Sequence, residues 1–378
     1  MTEHHDIVVV GAGLLGLSAA RALARRGRDV AVLEQAEIGH PGAGSKGSCR
    51  IFRLGYSDAR DVAMARRARD LWHELEEESG RAILLPTPHL TLGEQLPAVH
   101  EAMLRAGAPC ELLSAEQAAS RFPGIMTRGP ALLEPQSCVT AADQALLALA
   151  AAAPAVRTGA RVTELADDGR SVLVRTGAGT LCARTVVVCA GPSTSRLLAT
   201  AGITVPSAPT LEQVAYLTPI QPGDQPPGHQ PPGHQPLPRM PIFISHGVCV
   251  PYGLPVPGSS LYKIGIHQSG PPADPDRPSQ APDEELVRRL TELARELLPG
   301  YSPEPVATER CIYDNSPDEG FILDRAGNVV IGSGTSGHGF KFGPLLGEWL
   351  AALATGQADD LPGPRFALAR FSTAAART

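Results

Sequence analysis

The chain has 378 residues, 43% hydrophobic and 19% charged, enough core material for two ordinary domains or one large one. Its formal net charge is −6 and it has no basic run, which argues against a nucleic acid or an anionic membrane as partner. The longest nearly unbroken apolar run, residues 145–156, contains Pro154 and falls short of the ~18 residues a membrane-spanning helix needs. The opening residues lead straight into a Val/Ile strand and do not read as a secretory signal. Seven cysteines, with no Cys-x-x-Cys pair and no metal-like spacing to histidine, predict a reduced, cytoplasmic setting and no metal site. Only Lys46, Lys263 and Lys341 are lysines among the 33 basic residues. Where arginine serves as the general cation, a retained lysine marks a place that needs a compact ammonium.

Taken in chain order, residues 6–10 form a β-branched strand of the kind buried on both faces. It enters Gly11-Ala-Gly13-Leu14-Leu15-Gly16, a helix follows over residues 17–26, and a second strand over 29–33 ends at Glu34. In this βαβ setting Gly11 permits the tight turn, Gly13 a close approach to a pyrophosphate, and Gly16 close helix–strand contact. The helix N-terminus faces the anion, and Glu34, about 20 residues on, can accept from ribose hydroxyls. The pattern predicts a dinucleotide, with FAD and NAD both open. Residues 39–56 form a Gly/Ser loop containing Ser45 and Lys46, followed by Arg50 and Arg53. Residues 60–80 have helical spacing with Ala65, Ala68, Leu71, Trp72 and Leu75 on one face. A strand over 185–189 runs into Gly191, and residues 219–241 hold a tandem Pro-Pro-Gly-His-Gln repeat that cannot pack a core. Strands over 242–250 and 261–266, a helix over 284–298 and a last helix over 345–354 complete the reading.

Two further segments carry the chemistry: Arg310-Cys311-Ile-Tyr313-Asp-Asn-Ser-Pro-Asp, and Ser336-Gly337-His338-Gly339-Phe340-Lys341-Phe342. With them the chain resembles the monomeric sarcosine oxidase and N-methyltryptophan oxidase family of flavoprotein amine oxidases. The likeness runs nearly end to end, apart from the Pro-rich insertion and the tail. It implies FAD, bound by Gly11, Gly13, Leu14, Leu15, Gly16, Glu34, Ser45, Lys46, Arg50, Val162, Gly191, Gly337, Gly339, Phe340 and Lys341. It also implies a thioether from Cys311 to the flavin, with Arg310 expected nearby to favour the thiolate. Lys263 matches a lysine that promotes the reaction of reduced flavin with oxygen, since an ammonium stabilises developing superoxide. Arg53 and Lys341 match the cations that hold a substrate carboxylate. Tyr252 and His267 match positions beside the substrate, and Tyr56 and Tyr313 would line the same cavity. The sequence departs from the family at Ser45-Lys46-Gly47-Ser48-Cys49-Arg50, where His-His-Gly-Asp-Thr-Arg is usual, which puts the flavin's surroundings there in doubt.

The expected fold is α/β: a Rossmann-type FAD domain (1–85, 140–205, 306–378) interleaved with a mixed-sheet substrate domain (86–139, 206–305) that carries the insertion 219–241. The expected reaction is FAD-dependent oxidation of a secondary-amine amino acid to an imine, with O2 reduced to hydrogen peroxide by a monomeric enzyme. A biosynthetic oxidase of a cyclic amino acid shares every motif. A dehydrogenase passing electrons to a carrier, and a non-catalytic flavin-bearing scaffold docking through the Pro-rich loop, also remain open.

Overall fold

The first strand is apolar at every inward position because it separates two cores. Ile7 and Val9 pack into one, and Val8 and Val10 into the other. In the computed structural model, which describes residues 3–220, 240–277, 281–357 and 361–372, this strand (Glu3–Val10) lies inside an eight-stranded sheet. Val30–Leu33 and Gly179–Val188 flank it in parallel, and Val329–Ser333 pairs in parallel with the latter. Val162–Asp167 and Val172–Thr176 extend the sheet as an antiparallel meander. Helices Leu14–Arg25, Ala142–Ala152 and Gly343–Thr355 bury their apolar sides on one face of it.

The second eight-stranded sheet runs in the order Ala307–Asn315, Ala208–Leu217, Tyr262–Ile266, Pro251–Pro255, Ile242–His246, His89–Gly93, Ala131–Glu134, Glu111–Leu113. Helix Glu284–Leu297 covers one face, packing Leu290 and Ala294 against Leu90, Phe243, Tyr262 and Ile264. The opposite face looks across at the first sheet and walls a cavity. The reading of one strand over 242–250 is corrected: Ile242–His246 and Pro251–Pro255 are separate antiparallel strands. Of the Pro-rich segment, residues 221–239 lie outside the described residues. At its edges Pro219 bridges to Tyr301, and Met240 is buried in the second core. A three-stranded sheet of Cys49–Phe52, Cys138–Ala141 and Leu84–Pro86 lies outside both eight-stranded sheets.

Helix Ala59–Ser79 ties this scaffold to the cavity. The Asp58 side chain caps it by accepting from the Arg60 N–H, and Gly80 ends it with a left-handed φ of 66°. Its inner face buries Val62, Ala65, Ala68, Leu71, Trp72 and Leu75. Trp72 is 0% exposed, stacks on Phe340 at 6.2 Å and donates from Nε1 to the Lys341 carbonyl at 2.9 Å. Trp72→Ala is therefore expected to lower the unfolding free energy by about 3–5 kcal/mol in urea titrations. A loss under about 1 kcal/mol would contradict this packing.

Candidate active site

The glycine turn closes on itself at the nucleotide end. Gly11 has φ 97°, and a Cβ on Gly16 would sit 1.8 Å from the Gly11 carbonyl oxygen, so strand and helix touch backbone to backbone. That contact fixes the start of helix Leu14–Arg25 at the end of the first strand, where its N–H groups can meet an anion. The Leu14 N–H donates to Ser45 Oγ (2.9 Å), which holds the Gly/Ser loop over the same point. Glu34 is buried at the end of the second strand; its carboxylate accepts from the Ala12 N–H (2.7 Å) and the Ala36 N–H (3.2 Å). An ionised carboxylate has about four lone-pair sites, so acceptor capacity remains for a ribose.

From this point a cavity of ≈ 1210 Å³ runs between the sheets. Gly11, Gly13, Leu14, Leu15, Glu34, Ser45, Val162 and Gly191 line its nucleotide end. Its other walls include Arg50, Arg53, Tyr56, Tyr252, Lys263, His267, Cys311, Tyr313, Gly337, Gly339, Phe340 and Lys341. The turn that excludes a Cβ, the helix terminus at the cavity, the buried acid and the length of the cavity fit an extended dinucleotide.

Strand alternation builds the middle of the site. On Ala307–Asn315, Cys311 and Tyr313 line the cavity, while Arg310 is buried on the other side of the strand and is absent from the lining. The expectation that Arg310 faces the Cys311 thiol is corrected by this alternation. Arg310 donates instead to the Leu211 carbonyl (3.0 Å) and Gln213 Oε1 (3.2 Å). Burial raises the Cys311 thiol, and the cations that oppose the rise are Lys263 and Arg50. Lys263 is 5% exposed on the next strand but one and donates to the Cys49 carbonyl at 3.4 Å. Burial, then the neighbouring Arg50, push its ammonium below the ordinary lysine range. Arg50 donates to the Cys49 carbonyl (2.9 Å) and to the Lys46 carbonyl, with its guanidinium 5.6 Å from the Phe340 ring centre. Tyr313 and Tyr252 line the cavity together, and burial raises both phenols.

At the far end two cations meet one ring. The Arg53 guanidinium lies 4.2 Å and the Lys341 ammonium 5.8 Å from the centre of Tyr56. Arg53 Nε and Nη1 and the Tyr56 hydroxyl are buried without a hydrogen-bond partner. Burial and the nearby Arg53 push Lys341 well below its usual range. His267 Nε2 is 3.6 Å from Glu319 Oε2, and its ring centre is 5.8 Å from that of Tyr313.

Gly16 makes the close helix–strand contact expected of it behind Gly11, and Lys46 is outside the cavity wall with its ammonium 3.5 Å from Glu309. Two others went unread in the sequence. His246 lines the cavity, and Glu134 is a fully buried carboxylate behind Arg53. The only signal for Glu134 was a lone acid closing the apolar run Ala131-Leu-Leu.

The family of FAD dependent oxidoreductases (DAO) matches residues 6–353. Peroxisomal sarcosine oxidase of Mus musculus is 35% identical, covering 98% of this chain and 97% of its own length. Monomeric sarcosine oxidase of Bacillus sp. (strain NS-129) is 30% identical, covering 94% of each. Among solved structures NikD, described as an unusual amino acid oxidase essential for nikkomycin biosynthesis, matches with a TM-score of 0.83 at 26% identity, covering 97% of this chain and 98% of that one. With its glycine turn, buried acid and cation-lined cavity, the chain belongs to the FAD-dependent oxidoreductase (DAO) family, as a flavin-dependent amine oxidase of the sarcosine oxidase kind.

Proposed function

We propose that the substrate is an amino acid with a secondary amine, N-methylated as in sarcosine or held in a ring. Its C–N bond is oxidised to an imine and O2 is reduced to hydrogen peroxide. The observation that carries this reading is the pairing of two kinds of site in one cavity. Arg53 and Lys341 are cations without a carboxylate hydrogen-bonded to them, and Lys263 with Cys311 lies nearer the nucleotide end. FAD, when bound, supplies the two-electron acceptor for the C–N bond and returns those electrons to oxygen.

The chain's own residues do the rest. Arg53 offers a fork and Lys341 a point charge to the substrate carboxylate, which fixes the amine's distance from the clamp. The Tyr56 ring braces both cations. His267, held by Glu319, positions the amine, and the Tyr252–Tyr313 pair walls its other side. Lys263 places an ammonium, poorly hydrated because it is buried, where negative charge develops on oxygen. Cys311 is the residue assigned to the thioether. Gly11, Gly13, Leu14, Leu15, Glu34, Ser45, Arg50, Val162, Gly191, Gly337, Gly339 and Phe340 are assigned to holding the dinucleotide. We assign an FAD domain and a substrate domain to the two large sheets, with strand Ala307–Asn315, expected in the FAD domain, placed in the second sheet. We assign a monomer in the cytoplasm, and no described helix is long and apolar enough to cross a membrane.

Peroxide release from a panel of N-methyl and cyclic amino acids tests the substrate class. Turnover confined to secondary amines is expected, and equal turnover of primary amino acids would contradict it. Acid precipitation of the wild-type protein should leave yellow colour in the pellet, and Cys311→Ser should release it to the supernatant. A colourless wild-type pellet would remove the thioether. Lys263→Met is expected to slow reoxidation by O2 roughly 10²–10³-fold while anaerobic reduction by substrate persists. An unchanged oxygen rate would remove that role.

A further inference from the structure

Two cations set against one ring repel each other, and no described carboxylate forms an ion pair with either. The fully buried anion acting on Lys341 is Glu134, on the cavity-facing side of the second sheet; Asp61, which also faces Tyr56, is paired with Arg365. Glu134 pairs in register with His89, and both are essentially unexposed. Its carboxylate is crowded with donors. Oε2 accepts from the Leu54 N–H (3.0 Å), the Gly55 N–H (2.8 Å) and Ser137 Oγ (3.2 Å). Oε1 accepts from His89 Nδ1 (2.7 Å) and Thr91 Oγ1 (3.2 Å). A Cβ at Gly55 would lie 2.3 Å from Oε1, so the chain just beyond Arg53 is pressed onto this carboxylate. With its lone pairs taken, Glu134 has no room for the Arg53 fork and acts on Arg53 and Lys341 through space.

We propose that Glu134 is a positioning residue that sets the charge of the substrate clamp. It holds Arg53 in place through the Leu54–Gly55 backbone and supplies the buried negative charge that favours a protonated Lys341 beside the Arg53 guanidinium. This rests on the carboxylate-binding role given above to Arg53 and Lys341. His89 is held neutral by burial, so two cations against one carboxylate leave a single uncompensated positive charge. That remainder matches a substrate presenting one carboxylate to the clamp. The attraction reaches both partners: Arg53 helps hold Glu134 ionised against its burial, and Glu134 opposes the lowering of Lys341.

The test is acetate binding to the holoenzyme, read from flavin absorbance between about pH 6 and about pH 10, because acetate has no amine to titrate. The groups facing Lys341 are Arg53, Tyr56, Glu134, His89 and His338, with Asp61 beyond Tyr56 and paired with Arg365. His89 and His338 are lowered by burial, Tyr56 is raised by it, and burial lowers Lys341 from the ordinary lysine range; Lys263, lowered the same way, is controlled for by repeating the titration in Lys263→Met. Protonated Lys341 binds the anion, so acetate affinity should fall about tenfold per pH unit above the Lys341 pKa. In Glu134→Gln the fall should begin about one pH unit lower or more. In Glu134→Asp, which keeps the charge on a shorter arm, the fall should begin where the wild type's does. An unshifted Gln profile or a shifted Asp profile overturns the proposal. Arg53→Ala separates the two readings. Unchanged acetate affinity there removes the clamp and this inference with it, whereas a weakened Arg53→Ala beside an unshifted Glu134→Gln removes the role of Glu134 alone.

Discussion

The repulsion between Arg53 and Lys341 is the constraint around which the catalytic half of this fold is arranged. Bringing two like charges together out of water is unfavourable unless an opposite charge and polarisable contacts stand close by. Here one ring, Tyr56, contacts both cations, and one buried carboxylate, Glu134, lies behind them. Trp72 in turn grips the backbone of Lys341 from a helix otherwise given over to core packing. The proposed clamp thus has its cations braced by Tyr56 in the cavity wall and balanced by Glu134 behind it.

The two ends of the cavity are specified in different ways. The nucleotide end rests on backbone: the Gly11–Gly16 contact, helix N–H groups and two N–H groups on Glu34. The other end rests on side chains carried by one sheet face. There Glu134, His89, Ile244, Tyr252, Lys263, Cys311 and Tyr313 come from strands spread across the middle and C-terminal parts of the chain. A sheet unites such distant segments because its register fixes which side chains share a face. The opposite face is apolar and packs on helix Glu284–Leu297, so a one-residue slip would bury Lys263 in the core and expose Ile264 to the cavity.

What could be read from the chain alone follows the same division. The βαβ unit and Glu34 were legible because their chemistry depends on local spacing, and the helix over 60–80 because its apolar face repeats at helical period. Arg53, Lys263, Cys311 and Lys341 were singled out through a resemblance; the approach of Lys263 to Cys311 depends on sheet register that no local pattern encodes, and Arg53 and Lys341 come from a loop and a short helix outside that sheet. Arg310 was misjudged because adjacency in sequence places neighbours on opposite faces of a strand. Lys46 was read as a cofactor contact because its loop sits at the nucleotide, whereas Glu309, far along the chain, lies beside its ammonium. Glu134 left almost no trace, since a buried acid shows its purpose only when its donors, drawn from five other residues, are seen together.

The central claim is that one cavity reads a substrate by its carboxylate and oxidises its secondary amine. The most direct measurement is peroxide formation from sarcosine and from sarcosinamide, which differ only in that carboxylate. The acid is expected to be turned over with kcat/KM higher by roughly 10²-fold or more, the usual consequence of leaving a buried charge without its partner. Equal values for acid and amide would contradict the account, because Arg53 and Lys341 would then have no part in recognition.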